Sequence, residues 1–154
     1  MSSHNIHVQS RAVIIQQDHI LLCKTTGLSH NFYFLPGGHI EHGESARNAL
    51  KRELLEELGF PFKIERFLGC LEYSFDPKVT KHAKCHTHEY TFIFEANCDL
   101  LSPDKLLKQV EDHIEITWLP LKLEQIDLRA ESLKKLIPKW LDLNLNEAFE
   151  SSMV

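Results

Sequence analysis

The sequence predicts a mixed α/β (α+β) sandwich built from strands and two or three helices. Three observations carry this. Alternating or β-branched runs stand before residue 36 and again between residues 63 and 119. A capped amphipathic helix stands between them at residues 46–58, and a second helical period runs from Leu133 to Leu141. A length of 154 residues suits one domain, expected over residues 1–143, with residues 144–154 as a loosely ordered tail. A chain of this size buries roughly two-thirds of its unfolded surface and needs no staples. Hydrophobic residues at 43% and charged residues at 25% are ordinary for a globular protein, which excludes disorder, collagen-like repeats and coiled coil.

Taken in order, His4 to Gln16 alternates and reads as a strand. Gln17-Asp18-His19 is a turn and Ile20 to Lys24 a second strand, which together make a hairpin. Thr25 to His30 reads as a loop. Asn31 to Leu35 is a short aromatic strand, stopped by Pro36-Gly37-Gly38. The next helix is the best defined. Ser45 caps it, and Ala46, Leu50, Leu54 and Leu58 repeat every four residues as a core-facing stripe. Gly59 suits the position past the last turn and Pro61 prevents continuation. Lys63 to Phe75 and His86 to Asn97 read as longer strands, with Phe92, Phe94 and Ala96 alternating against Ile93 and Glu95. Between them lies the polar loop Asp76 to Cys85. His113 to Leu119 is a further strand. Leu133, Leu136, Ile137, Trp140 and Leu141 keep a helical period, and Pro138 inside it predicts a kink or break.

Seventeen basic against twenty-two acidic residues leave a net charge of −5. Duplex binding favours the opposite balance, so no nucleic-acid polymer is expected as a partner. No apolar run reaches bilayer length, so no membrane partner is expected. No secretory pattern is visible at the N-terminus. The four cysteines, Cys23, Cys70, Cys85 and Cys98, lack paired CxxC spacing, so they read as reduced thiols of a cytoplasmic protein.

Glu53, Glu56 and Glu57 stand at i, i+3 and i+4 on the predicted helix and share one stripe, about 100° round from the apolar stripe. Like charges at that spacing oppose the helix by a few tenths of a kcal/mol per pair. Just before them, Leu35 to Glu44 carries three glycines within seven residues, between a strand and a helix. Such a loop permits close backbone approach and exposed carbonyls. Carboxylate and carbonyl oxygens are what hard divalent cations take, and Mg²⁺ also takes substrate phosphates. The loop is neither a P-loop nor a dinucleotide fingerprint, since no Gly-Lys-Ser/Thr and no GxGxxG is present.

Gly38, five residues, Glu44, seven residues, then Arg52-Glu53-Leu54-Leu55-Glu56-Glu57-Leu58-Gly59-Phe60 resembles the complete Nudix box, with an aromatic at its last hydrophobic position. Nine constraints at fixed spacing arise by chance on the order of 10⁻⁹ per position. The box covers 23 of 154 residues, and the preceding Leu-Pro-Gly-Gly and later Trp-Leu-Pro fit the same family. The resemblance implies a Nudix fold, an α/β/α sandwich with a mixed sheet. It also implies hydrolysis of a nucleoside diphosphate linked to X, with a nucleotide-derived small molecule as substrate. By the same resemblance Glu53, Glu56 and Glu57 act at the catalytic centre and hold Mg²⁺ or Mn²⁺, with the Gly37 carbonyl as a further ligand. Arg52 and Glu44 orient helix and loop by an ion pair, and Gly38 and Gly59 serve backbone geometry. In some relatives the base is the glutamate equivalent to Glu53; in others it lies outside the box. Glu111 and Glu115 are candidates for an extra base or ligand. Small relatives are often homodimers, which makes a homodimer a possible assembly here.

Other features weigh less. Cys85-His86-Thr87-His88 has no second ligand pair for zinc. Lys78, Lys81, His82 and Lys84 form a basic loop, and Phe32, Tyr33, Tyr73 and Phe75 could stack on a base or fill a core. Family signatures for NADH-type and coenzyme A-type hydrolases are absent, so nucleoside triphosphates, ADP-ribose, nucleotide sugars and dinucleoside polyphosphates all stay open. The alternative to an enzyme is a nucleotide-sensing Nudix module without turnover. Such modules often lose box glutamates, and all are present here. Isomerase chemistry on an isoprenyl diphosphate would need further cysteine and glutamate machinery, which the sequence does not display.

Overall fold

A computed structural model of the chain describes residues 5–74, 88–105, 107, 112–144 and 148–151. The strands are β1 (His7–Val13), β2 (Ile15–Gln16), β3 (His19–Thr25), β4 (Tyr33–Phe34), β5 (Gly37–His39), β6 (Lys63–Ser74), β7 (His88–Asn97), β8 (Ile114–Pro120) and β9 (Phe149–Ser151). The helices are α1 (Ala46–Leu58) and α2 (Leu133–Leu141), with a single 3₁₀ turn at Leu123–Gln125.

Two sheets form. The first is mixed, in the order β5-β1-β7-β6-β9, with β1 parallel to β7 and β9 parallel to β6. The second is antiparallel. β8 pairs the whole of β3, while β2 and β4 also pair with β3 at Ile20 and Cys23 respectively. The alternation of β1 decides the layers. Ala12 and Ile14 pack with Leu50, Leu54 and Leu58 of α1, together with Leu21 and Phe94. Val13 packs the other way, with Ile93, Leu71 and the α2 residues Leu133, Leu136, Ile137 and Trp140. A helix therefore covers each face, which is the expected α/β/α sandwich. The alternation read for residues 92–96 holds: Phe94 and Ala96 join the α1 side and Ile93 the α2 side.

Three expectations need correction. The aromatic strand does not end at Pro36-Gly37-Gly38, because pairing resumes at once as β5. Pro36 has no N–H and cannot continue the ladder with β3. Its carbonyl instead accepts the Ala12 N–H at 2.9 Å, and the strand crosses to β1 with Gln9↔His39 and Arg11↔Gly37 in register. The helix α2 runs through Pro138 without a break. Proline inside a helix costs about 3 kcal/mol. Burying Leu133, Leu136, Ile137 and Trp140 stabilises the element by roughly 1.5–3 kcal/mol per side chain, so packing wins. The tail expected to be loose beyond Asn144 returns to the sheet as β9, where Cys70 N–H donates to the Ala148 carbonyl at 2.7 Å. The Ser151 hydroxyl donates to Glu72 at 2.6 Å, and the Tyr90 phenol donates to the same carboxylate at 2.5 Å. Those two hydrogen bonds, Ser151 first, hold the Glu72 carboxyl below the usual range.

Cys23, Cys70 and Cys98 form no disulfide among the described residues. Among the described residues, no helix is long and apolar enough to cross a membrane. The loop with Lys78, Lys81, His82, Lys84, Cys85 and His86, as well as Phe75 and Glu111, lies outside the described residues.

The docking of α2 leaves a test. The Trp140 indole lies where a side chain at position 69 would go, since a Cβ on Gly69 would stand 2.5 Å from Trp140 Cε2. Gly69→Ala is expected to lower unfolding stability by about 1–3 kcal/mol, as overpacked cores do. Denaturant unfolding measures it, and a variant as stable as the parent would contradict this packing.

Candidate active site

The site is built on α1 because its ends are fixed. The Ser45 hydroxyl accepts the Asn48 N–H at 3.2 Å, and Gly59 closes the helix at φ 75° with its N–H on the Leu55 carbonyl. Arg47 pins the outer side. Its guanidinium donates to the Ile64 and Glu65 carbonyls and lies 4.9 Å from the centre of the Phe94 ring. With Leu50 and Leu54 in the core, the stripe of Glu53, Glu56 and Glu57 turns toward the edge strand β5.

Contact with that edge depends on two missing side chains. A Cβ on Gly37 would overlap the Ser10 carbonyl oxygen, and its φ of 133° disfavours any other residue. A Cβ on Gly38 would stand 2.5 Å from Glu53 Cδ. With both absent, Gly37 N–H donates to Glu57 Oε2 at 3.0 Å, and Glu53 lies flat against Gly38. Glu57 is buried at 9% exposure, whereas the Glu56 side chain is 55% exposed, so the stripe runs from the interior to solvent.

Arg52 organises the remaining charge. It donates to Glu44 Oε1 at 2.6 Å and Oε2 at 3.2 Å, to Glu53 Oε1 at 2.9 Å, and to the His39 carbonyl at 3.1 Å. Glu56 lies 3.5 Å away on the same guanidinium. Glu44 also accepts the Glu41 N–H at 2.9 Å. One arginine thus ties the loop after β5 to the middle of α1. The hydrogen bond from Arg52, followed by the Glu41 N–H, holds the Glu44 carboxyl below its usual range. The same partners, Glu44 and then Glu53, push Arg52 higher still.

Glu53, Glu56, Glu57, Gly37, Gly38, Glu44 and Arg52 are therefore brought together, and Gly59 ends the helix that carries them. Glu115 is not drawn in: it is exposed on β8, across the ladder from Lys24. Among the described residues no three His, Cys, Asp or Glu side chains already stand as a closed metal cage. The hydrogen bonds explain why, since Glu57 is held by Gly37 and Glu53 by Arg52. The donor set itself, three carboxylates beside a strand-end backbone, is hard oxygen and suits a divalent cation.

Sequence reasoning passed over Gln9, Arg11 and Glu89. They lie on the α2-facing side of the sheet beyond its apolar part. Arg11 Nε donates to Gln9 Oε1 at 2.9 Å, and Gln9 Nε2 to Glu89 Oε1 at 3.3 Å. The signal was present: polar residues at 9 and 11, in phase with core residue Val13, mark one face of a strand turning from core to site.

A model of the NUDIX domain matches residues 6–140 of the chain. Over 133 residues the chain is 30% identical to the nucleoside triphosphatase NudI of Escherichia fergusonii, covering 83% of this chain and 93% of that protein. Over 127 residues it is 31% identical to the m7GpppN-mRNA hydrolase NUDT17 of Danio rerio, covering 80% of this chain and 36% of that longer protein. A solved NUDIX hydrolase from Nitrosomonas europaea superposes with a TM-score of 0.68 at 25% identity, covering 89% of each chain. The chain belongs to the NUDIX family. It is a hydrolase of phosphoric anhydride bonds.

The Arg52–Glu44 pair has a pH signature. A carboxyl lowered by folding stabilises the fold above its unfolded value, near 4.5, and that stability is lost as pH falls through the lower folded value. Glu44→Gln is expected to flatten the acid limb of the stability profile below about pH 4.5. Thermal melts between pH 3 and pH 7 compare the two proteins, and parallel acid limbs would remove this role from the pair.

Proposed function

We propose that the chain is a Mg²⁺-dependent pyrophosphohydrolase of a nucleoside diphosphate linked to X, with Mn²⁺ as a working substitute. The observation that carries it is the meeting of the Glu53-Glu56-Glu57 stripe with the Gly37 end of β5. Glu53, Glu56 and Glu57 would hold the cation. The Gly37 carbonyl is a further candidate, because Gly37 falls at a position of the β1–β5 ladder whose backbone groups turn away from β1. A cation there competes with Arg52 for Glu53 and Glu56. When bound, it offsets charge on the phosphate oxygens and makes an attacking water more acidic.

The protein's own groups do the rest. A carboxylate of the stripe takes the proton of water as oxygen attacks phosphorus. The leaving phosphate departs with the bridging oxygen. Arg52 and Glu44 keep the loop and α1 in one geometry. Gly38 lets Glu53 lie close to the strand. The substrate is a small nucleotide derivative. A net charge of −5 disfavours a polymer backbone, and a bridging cation removes that penalty for a small polyanion. Among the relatives, NudI is named a nucleoside triphosphatase, which makes triphosphates the first class to assay.

Phosphate and nucleotide release would be followed across nucleoside triphosphates, ADP-ribose, nucleotide sugars, NADH and dinucleoside polyphosphates. Turnover is expected with Mg²⁺ and its loss with EDTA. Glu57→Gln is expected to lower kcat by about 10²-fold or more with the melting temperature little changed, since a glutamine oxygen can still accept the Gly37 N–H. An unchanged rate in the pure variant would remove Glu57 from the metal site.

A further inference from the structure

The α2-facing side of the mixed sheet is apolar at Val13, Ile93 and Leu71. Further along the same strands it becomes polar, with Arg11 and Gln9 on β1, Glu89 on β7, and Tyr73 on β6 directly across the ladder from Glu89. Arg11 is the register partner of Gly37, so this polar run begins at the candidate catalytic centre and leads away from it.

The run has a direction. Gln9 is only 4% exposed, so both ends of its amide need partners. A guanidinium can only donate and an ionised carboxylate can only accept. Arg11 therefore takes the Gln9 oxygen, at 2.9 Å, and the Gln9 NH₂ must face Glu89, at 3.3 Å. The orientation of the amide follows from its neighbours. Donation passes from Arg11 through Gln9 and ends on an acceptor. Among the described residues Glu89 Oε2 accepts no hydrogen bond, and Arg11 has no carboxylate partner. At one end stands a cation at the strand position paired with Gly37; at the other stands a carboxylate whose Oε2 is open among the described residues. The linking hydrogen bonds put Arg11 Nε and Glu89 Oε1 under roughly 9 Å apart. That upper bound lies within the reach from a nucleotide's phosphates to the far edge of its base.

We propose that Glu89, aimed by Gln9, reads the substrate's base and selects guanine, with Arg11 on the phosphate side. A carboxylate needs donors. Guanine presents two side by side, N1–H and the N2 amine, and can bind a carboxylate twice. Adenine and cytosine place a ring-nitrogen lone pair next to their amine, which repels the second oxygen. Uracil offers one N–H between two carbonyls. Sites built on such pairs reject the wrong edge because buried polar groups are left unmatched. This inference rests on the reading of the chain as a nucleotide pyrophosphohydrolase.

The test is kcat/KM of the full-length protein with Mg²⁺ on GTP, ITP and ATP, in the wild type and in Glu89→Gln. ITP keeps N1–H but lacks the amine. The expected order is GTP, then ITP, then ATP, with at least tenfold between the first and last. Glu89→Gln is expected to bring the GTP-to-ATP ratio below about threefold. Equal rates on GTP and ATP in the wild type, or an unaltered ratio in the folded variant, would overturn the assignment. Should Glu89→Gln fail to fold, the wild-type GTP-to-ITP ratio decides alone, and a ratio of one rejects it. Silence on all three nucleotides would count against triphosphate hydrolysis rather than against Glu89. Calorimetric binding of GMP and AMP then decides, and equal affinity for the two would end the proposal.

Discussion

Close approach between a strand edge and a helix, made possible by two missing side chains, is the constraint on which the site depends. Gly37 and Gly38 let β5 lie against β1 on one side and against Glu53 and Glu57 on the other. A Cβ at either position meets backbone or a carboxylate. Its cost would be a displaced helix rather than a lost contact. The apolar stripe of α1 cannot set this distance alone. Leu50, Leu54 and Leu58 hold the helix on the sheet, but the Gly37 N–H on Glu57 fixes where along the edge it sits.

Electrostatics then divides the work. Three carboxylates on one helix stripe oppose each other weakly, and one arginine pairs two of them, Glu53 and Glu56. Arg52 gathers Glu44, Glu53 and Glu56 while also reaching the His39 carbonyl. It therefore couples the loop geometry to the charge of the stripe. A backbone donor, the Gly37 N–H, serves Glu57. The deepest carboxylate is thus set by the fold, and the outer ones by a side chain that can give way.

Much of this was legible beforehand, and the parts that were not share a cause. The bounds of α1 follow from a local signature of cap, four-residue period and terminal glycine. The box residues follow from fixed spacing. The resumption of pairing at Gly37 was hidden, because glycine and proline in a row signal a stop unless a second strand lies within reach. Pro138 misled in the same way, since its penalty is local and the burial that outweighs it is tertiary. β9 was missed because three residues carry no period, and its pairing spans almost 80 positions. Gln9 and Glu89 are also 80 residues apart, so only the parallel pairing of β1 with β7 brings them together.

The outer strands of the mixed sheet have a further meaning for colloidal behaviour. Among the described residues the outer strands are β5 and β9, each three residues long; the ten-residue β7 lies inside, and β9 covers Cys70–Glu72 of the twelve-residue β6. Long open strands recruit other chains through unpaired backbone groups, and short ones offer too few. β9 therefore serves as a bumper along part of β6. A chain shortened before Phe149 would expose that stretch of β6 to its neighbours in concentrated solution, without touching a single residue of the catalytic centre.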